Sequence, residues 1–427
     1  MVHAVLLLIA AALPGPVLSP DDIDQPVNVV VRPDLPSDGI ILQPKDPARS
    51  TLWSMPAATR VTGGKAEIWY QRVDNSEAVY EDKRTFCIGE LADGVWSLPA
   101  IQPSSPAWGG PNNVVLTRSP HKPTWGGFNV FQMAVLDGRF TLLYWDQPSE
   151  TGEAGAMIAT SANGREWNKE PGTVFTEHND AYCLLKTAEG FLLYQTKLED
   201  WPDKPFPDNL NQWKRVQSIR SSSDLRTWTA QEVFLRPDDH DPVETEFYLM
   251  KAFAYGNGYL GLIMKYFADP NLPNKHSAIL KYELVASRDG RHWERPYRGT
   301  DLKFWSYADP FTLDGKTHFA IWDANLGMRT VWYEEDRMVG IHADGAGSFV
   351  TKPFVATGAI RLNANAKNGS LSIEVLDELA EPLTLYAPMR FDGQDGTSLP
   401  VVWPSPLPEK PIRLRITLAD STYYGIH

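Results

Sequence analysis

The sequence is short of cysteine, of basic charge and of long apolar stretches, and each shortage excludes a class of protein. Two cysteines in 427 residues cannot build a disulfide scaffold. Both Cys87 and Cys183 lie inside apolar runs (RTFCIGE and DAYCLLK), where buried free thiols are expected. Neither has a partner at zinc-ligand spacing. Lys and Arg number 40 against 53 Asp and Glu, a net charge of −13, so the basic face that nucleic-acid binding needs is missing. No run beyond the N-terminus is apolar enough to span a bilayer. G-x-S-x-G, P-loop and dinucleotide fingerprints are absent. His121, His178, His240 and His318 show no ligand spacing, so no protein zinc site is expected.

Residues 4–12 (AVLLLIAAA) form an apolar run closed by Pro14 and Pro16. It is too short to cross a membrane and reads as a secretory leader, although no Lys or Arg precedes it. With the leader set at 1–19, the protein is expected to be secreted or periplasmic.

What the chain has in quantity is 15 Trp, 16 Tyr, 31 Gly and 34 Pro, the makings of many short strands joined by tight turns. Four segments repeat one signature: LADGVW ending at Trp96, SANGREW at Trp167, SSDLRTW at Trp228 and SRDGRHW at Trp293. Asp or Asn followed by Gly supplies left-handed turn positions, and the Trp packs on a neighbouring unit. Aromatic-rich strands precede each turn (66–73, 139–147, 191–197, 259–267), and a fifth, 317–325, follows the last. Such a repeat predicts an all-β fold, a five-bladed β-propeller over 20–345. Segment 342–349 (HADGAGSF) is the expected fifth turn, and strands within 27–60 are expected to close the ring. Beyond it, SLSIEVLD, PLTLYAPM and IRLRITLAD alternate apolar and polar residues. They predict a C-terminal antiparallel β-sandwich over 346–427.

The innermost strand of each blade lines a channel whose mouth takes ligands. Four predicted inner strands, 128–136, 181–188, 247–255 and 310–313, begin beside Asn129, Asp180, Glu246 and Asp309. Carboxyl groups converging from several blades suit glycosidic hydrolysis, which needs one neutral acid and one ionised carboxylate. Glu246, Asp180 and Asp309 are therefore the candidate catalytic residues. Asn129, Asp241, Glu244 and the aromatics Trp305, Tyr307 and Trp125 are candidates for holding sugar, since sugar C–H faces stack on rings. The acid-rich run 239–246 is also compatible with a structural calcium ion; no other cofactor is expected.

The Ser-x-Asp-Gly-x-x-Trp turns, the leader and the trailing sandwich resemble the five-bladed propeller glycoside hydrolases, the invertase and levanase group together with the arabinanase and xylosidase group. The strings NDAYCLLK, ETEFYLMKAFAYGNGYLGL and ELVASRDGRHWERP are similar to those of secreted bacterial propeller proteins of unknown specificity. The resemblance implies an oligo- or polysaccharide substrate, Glu246 as general acid and Asp180 as the orienting acid. The first-blade acid of those enzymes is missing, as 51–60 (TLWSMPAATR) contains no Asp or Glu. A propeller that binds carbohydrate without cleaving it is the alternative.

Overall fold

The computed structural model describes residues 15–47, 52–74, 84–101, 113–119, 127–176, 181–205, 210–267, 278–356 and 358–427. These form two compact units, one of 36–253 and 260–332, the other of the N-terminal residues to 35, 254–259 and 333–427.

The first unit is the five-bladed propeller, each blade an antiparallel sheet; blades one to four run from inner to outer strand in chain order. Blade one has Leu52–Thr62, Lys65–Asp74, Arg84–Ala92 and Val95–Ser97, with Val114–Thr117 added on Arg84–Ala92. Blades two, three and four begin with inner strands Asn129–Leu136, Tyr182–Thr187 and Thr245–Tyr255. Blade five takes Phe311–Leu313, Lys316–Asp323 and Gly327–Glu334 from the end of the propeller sequence and its outer strand, Ser37–Pro44, from the beginning. The strand expected within 27–60 thus closes the ring. Between blades the core is dominated by rings: Phe86 stacks on Phe131 at 4.3 Å between blades one and two. Cys87 and Cys183 are buried and free. Burial pushes their thiols up, to about 11 and about 12.

The repeated turn joins the third and fourth strands of its blade, and its hydrogen bonds explain why the motif recurs. In blade two, Ser161 Oγ accepts from the amides of Asn163 and Gly164, and Asn163 Oδ1 from those of Arg165 and Glu166. Trp167 Nε1 then donates to Gly164 O. Ser222, Asp224 and Trp228 in blade three, and Ser287, Asp289 and Trp293 in blade four, repeat the pattern. The turn also reaches the preceding blade: Trp69 Nε1 donates to Gly164 O at 2.8 Å and Tyr194 Oη to Gly290 O at 2.6 Å. Where blade three has Leu225 for Gly, the residue keeps the left-handed conformation (φ 64°) and buries its side chain completely.

The second unit is a nine-stranded antiparallel assembly around Val339–Thr351 and Arg413–Ile426. Ser370–Leu376 pairs with the latter, as alternation in SLSIEVLD suggests. Two expectations are corrected. HADGAGSF is no blade turn but lies inside the long strand Val339–Thr351; blade five closes with the N-terminal strand and needs no fourth-strand turn. PLTLYAPM is mostly turn: Pro382 makes a bridge to Leu376 and Met389 opens the strand Met389–Asp392, while Pro382 and Pro388 withhold ladder donors. The N-terminal segment joins this unit early: Gly15 and Pro16 pair with Ile426 and Gly425, Val17 N donates to Tyr424 O, and Val17, Leu18 and Ser19 are buried. Among the described residues no helix is long and apolar enough to cross a membrane.

Candidate functional site

Polar side chains that interrupt apolar strand runs link each blade to the next. Gln71 Nε2 of blade one donates to Phe128 O, which leads into blade two (3.3 Å). Gln132 of blade two, itself buried, accepts at Oε1 from Leu184 N of blade three (3.0 Å). Lys251 of blade four donates to Leu184 O (3.1 Å) and pairs with Asp309 Oδ1 at the start of blade five (2.6 Å). Thr59 Oγ1 of blade one donates to Asp309 O (2.9 Å), which completes the circuit. Cys183, beside Leu184, feels both charges of the Lys251–Asp309 pair.

Asp309 is the acid of this circuit that solvent reaches. Its side chain is 59% exposed, whereas that of Lys251 is 3% exposed. The loop before it carries the predicted rings. Trp305 and Tyr307 lie edge to face at 5.7 Å, and Tyr282 lies 6.2 Å from Trp305. Trp305 is buried with its indole N–H unpartnered among the described residues, and Tyr307 is half-buried.

The other predicted acids are placed differently. Glu246 has no exposed surface and is held by Lys204 Nζ and Arg215 Nη1, both at 2.7 Å, with a further bond from Arg215 N. Both cations come from blade three, so Glu246 fastens two blades and presents no oxygen to solvent. Asp241 belongs to a buried cluster with Glu283, Lys265 and Arg295. Burial opposes its ionisation, but hydrogen bonds from Arg295 and the Asp238 amide prevail and hold its carboxyl far below the usual carboxylate range. With its oxygens taken by two cations, Asp241 is not disposed to hold sugar. Nor does the 239–246 segment gather a cation site: among the described residues no group of three or more His, Cys, Asp or Glu can hold a metal ion. Glu244 is half-exposed in the turn before Thr245. Asn129 is half-buried at the start of its strand, opposite Trp145. Asp180 and Trp125 lie outside the described residues.

Lys251, Gln132 and Thr59 are the site residues that pattern reading missed. Their signal was present: a lysine in FYLMKAFAY and a glutamine in NVFQMAVL are polar residues in strands otherwise apolar. A buried lysine needs a partner, and the channel is where one is available.

No family model matches the chain, and a search of curated proteins finds no match. Solved structures do align with it. One is a glycoside hydrolase, 13% identical, covering 71% of this chain and 92% of that one with a TM-score of 0.44. A family 117 glycoside hydrolase produced by the marine bacterium Zobellia galactanivorans is 14% identical over 72% of this chain and 90% of its own, TM-score 0.42. A glycosyl hydrolase from Bacteroides ovatus is 16% identical, covers 77% and 96% of the two chains, and has a TM-score of 0.41.

Proposed function

We propose that this protein is an exported glycoside hydrolase acting on oligo- or polysaccharide at the propeller channel mouth, with Asp309 as one working carboxylate and Asp180 as the second. What supports the reading is Asp309: a solvent-reached carboxylate at the start of an inner strand, ion-paired to a buried lysine of another blade and preceded by Trp305 and Tyr307. Two carboxyl groups suffice for either hydrolytic geometry, and half-buried Tyr307, backed by buried Trp305, offers an apolar face for sugar. Glu246 is assigned a structural part, since protonating a leaving oxygen would require it to leave two buried cations.

A second reading, a propeller that binds glycan without cutting it, draws on that same burial of Glu246, which removes the expected acid. A glycan array run beside a reducing-sugar assay separates the two. Release of reducing ends that is lost in Asp309→Asn and Asp180→Asn supports hydrolysis; array binding without product supports the second reading. Wild-type product release in both variants would sink the assignment.

A further inference from the structure

We propose that Lys251 is the positioning residue for Asp309, and that the two act as one unit at the channel mouth. The inference rests on the reading of Asp309 as a substrate-facing carboxylate. An exposed aspartate on a loop ordinarily samples several rotamers. Here the cation that holds it cannot move with it. Lys251 is buried, and one of its donors is fixed on Leu184 O, while the Leu184 amide is fixed by Gln132. Blades two, three and four therefore set where the ammonium sits, and Asp309 comes to that place. Thr59 of blade one pins the main-chain carbonyl of the same residue. Side chain and backbone of Asp309 are thus anchored from different blades.

As a device for stability the pair is a poor one. Burying an ammonium costs desolvation, and a partner that is mostly in water returns little of it. Glu246 shows how this fold builds an ion pair for cohesion, with both ends buried and two cations on one acid. A buried lysine spent on an exposed carboxylate fits orientation of that carboxylate, where small misplacements carry large rate penalties.

The test is a double-mutant cycle of Lys251→Met, Asp309→Asn and both together, read in two ways. On a panel of 4-nitrophenyl glycosides, K251M is expected to lower kcat by about 10–100-fold with KM nearly unchanged. In the D309N background it should cost nothing further. K251R, which keeps the charge, should recover part of the rate. A wild-type kcat in K251M, or a full extra loss in the double variant, overturns the proposal. The second readout is the thermal midpoint and needs no substrate. D309N leaves a buried ammonium unpaired and should melt lower by about 2 °C or more, and adding K251M should restore the midpoint. Additive losses would mean that the two groups are not a unit. Unchanged activity in D309N with an intact thermal cycle would instead fault the functional reading of Asp309 and leave the coupling standing.

Discussion

Glu246 shows how residue-level chemistry depends on what reaches the side chain. It starts an inner strand, as a catalytic acid would, yet Lys204 and Arg215 enclose it. Removing one member of a buried ion pair leaves uncompensated charge, at about 3–5 kcal/mol. Glu246→Gln is therefore expected to lower stability by about that amount in chemical denaturation. A loss under about 1 kcal/mol, the scale of an exposed pair, would refute the fastening role. His318 sets a pH dependence of its own. It is buried, stacks on Phe311 at 5.3 Å and has an Nδ1 unpartnered among the described residues, and burial lowers its pKa from the ordinary histidine value. The folded state then holds fewer protons on this ring than the unfolded chain. Its contribution is complete above about pH 6.5 and is lost as the pH falls from there toward the folded value. Melting across pH 5–8 should show a steeper acid limb for the native chain than for His318→Phe; coincident limbs would remove His318 from the account.

The turn is the element that the sequence declared most openly, because its chemistry is local. A serine, an Asx side chain, a left-handed residue and a tryptophan within seven positions determine their own hydrogen bonds. Leu225 tests which force dominates there. A left-handed non-glycine costs about 1–2 kcal/mol, but emptying a buried leucine site costs about 2–5 kcal/mol. Leu225→Gly should thus destabilise despite relieving the backbone, and a net gain in midpoint would show that backbone strain outweighs the packing of the leucine. The channel residues were less legible for the opposite reason. Whether an acid before a strand faces solvent or a cation depends on strands distant in sequence: Lys251 meets Leu184 and Asp309, and Glu246 meets Arg215. Periodicity placed these strands well. It carries no information on which blade supplies the neighbour, and so Asp309 and Glu246 looked alike.

Across the whole chain, the ring is closed by pairing its last blade with Ser37–Pro44. Deleting 36–47 should expose the edge of Gly327–Glu334 and favour association through it, so size-exclusion chromatography is expected to show oligomers or aggregate; a clean monomer with native midpoint would argue that this strand is dispensable. Within the second unit, Gly15–Ser19 has a consequence for how far the chain tolerates trimming. Gly15 and Pro16 cover the edge of Arg413–Ile426, and Leu18 is almost wholly buried. A peptidase cut after residue 19 would strip that cover and leave one edge of the strand's last residues, Gly425 and Ile426, open to other chains. N-terminal sequencing of the protein purified from its native host is therefore expected to find a first residue no later than Gly15, and a functional product beginning at Pro20 would show that the edge tolerates being bare.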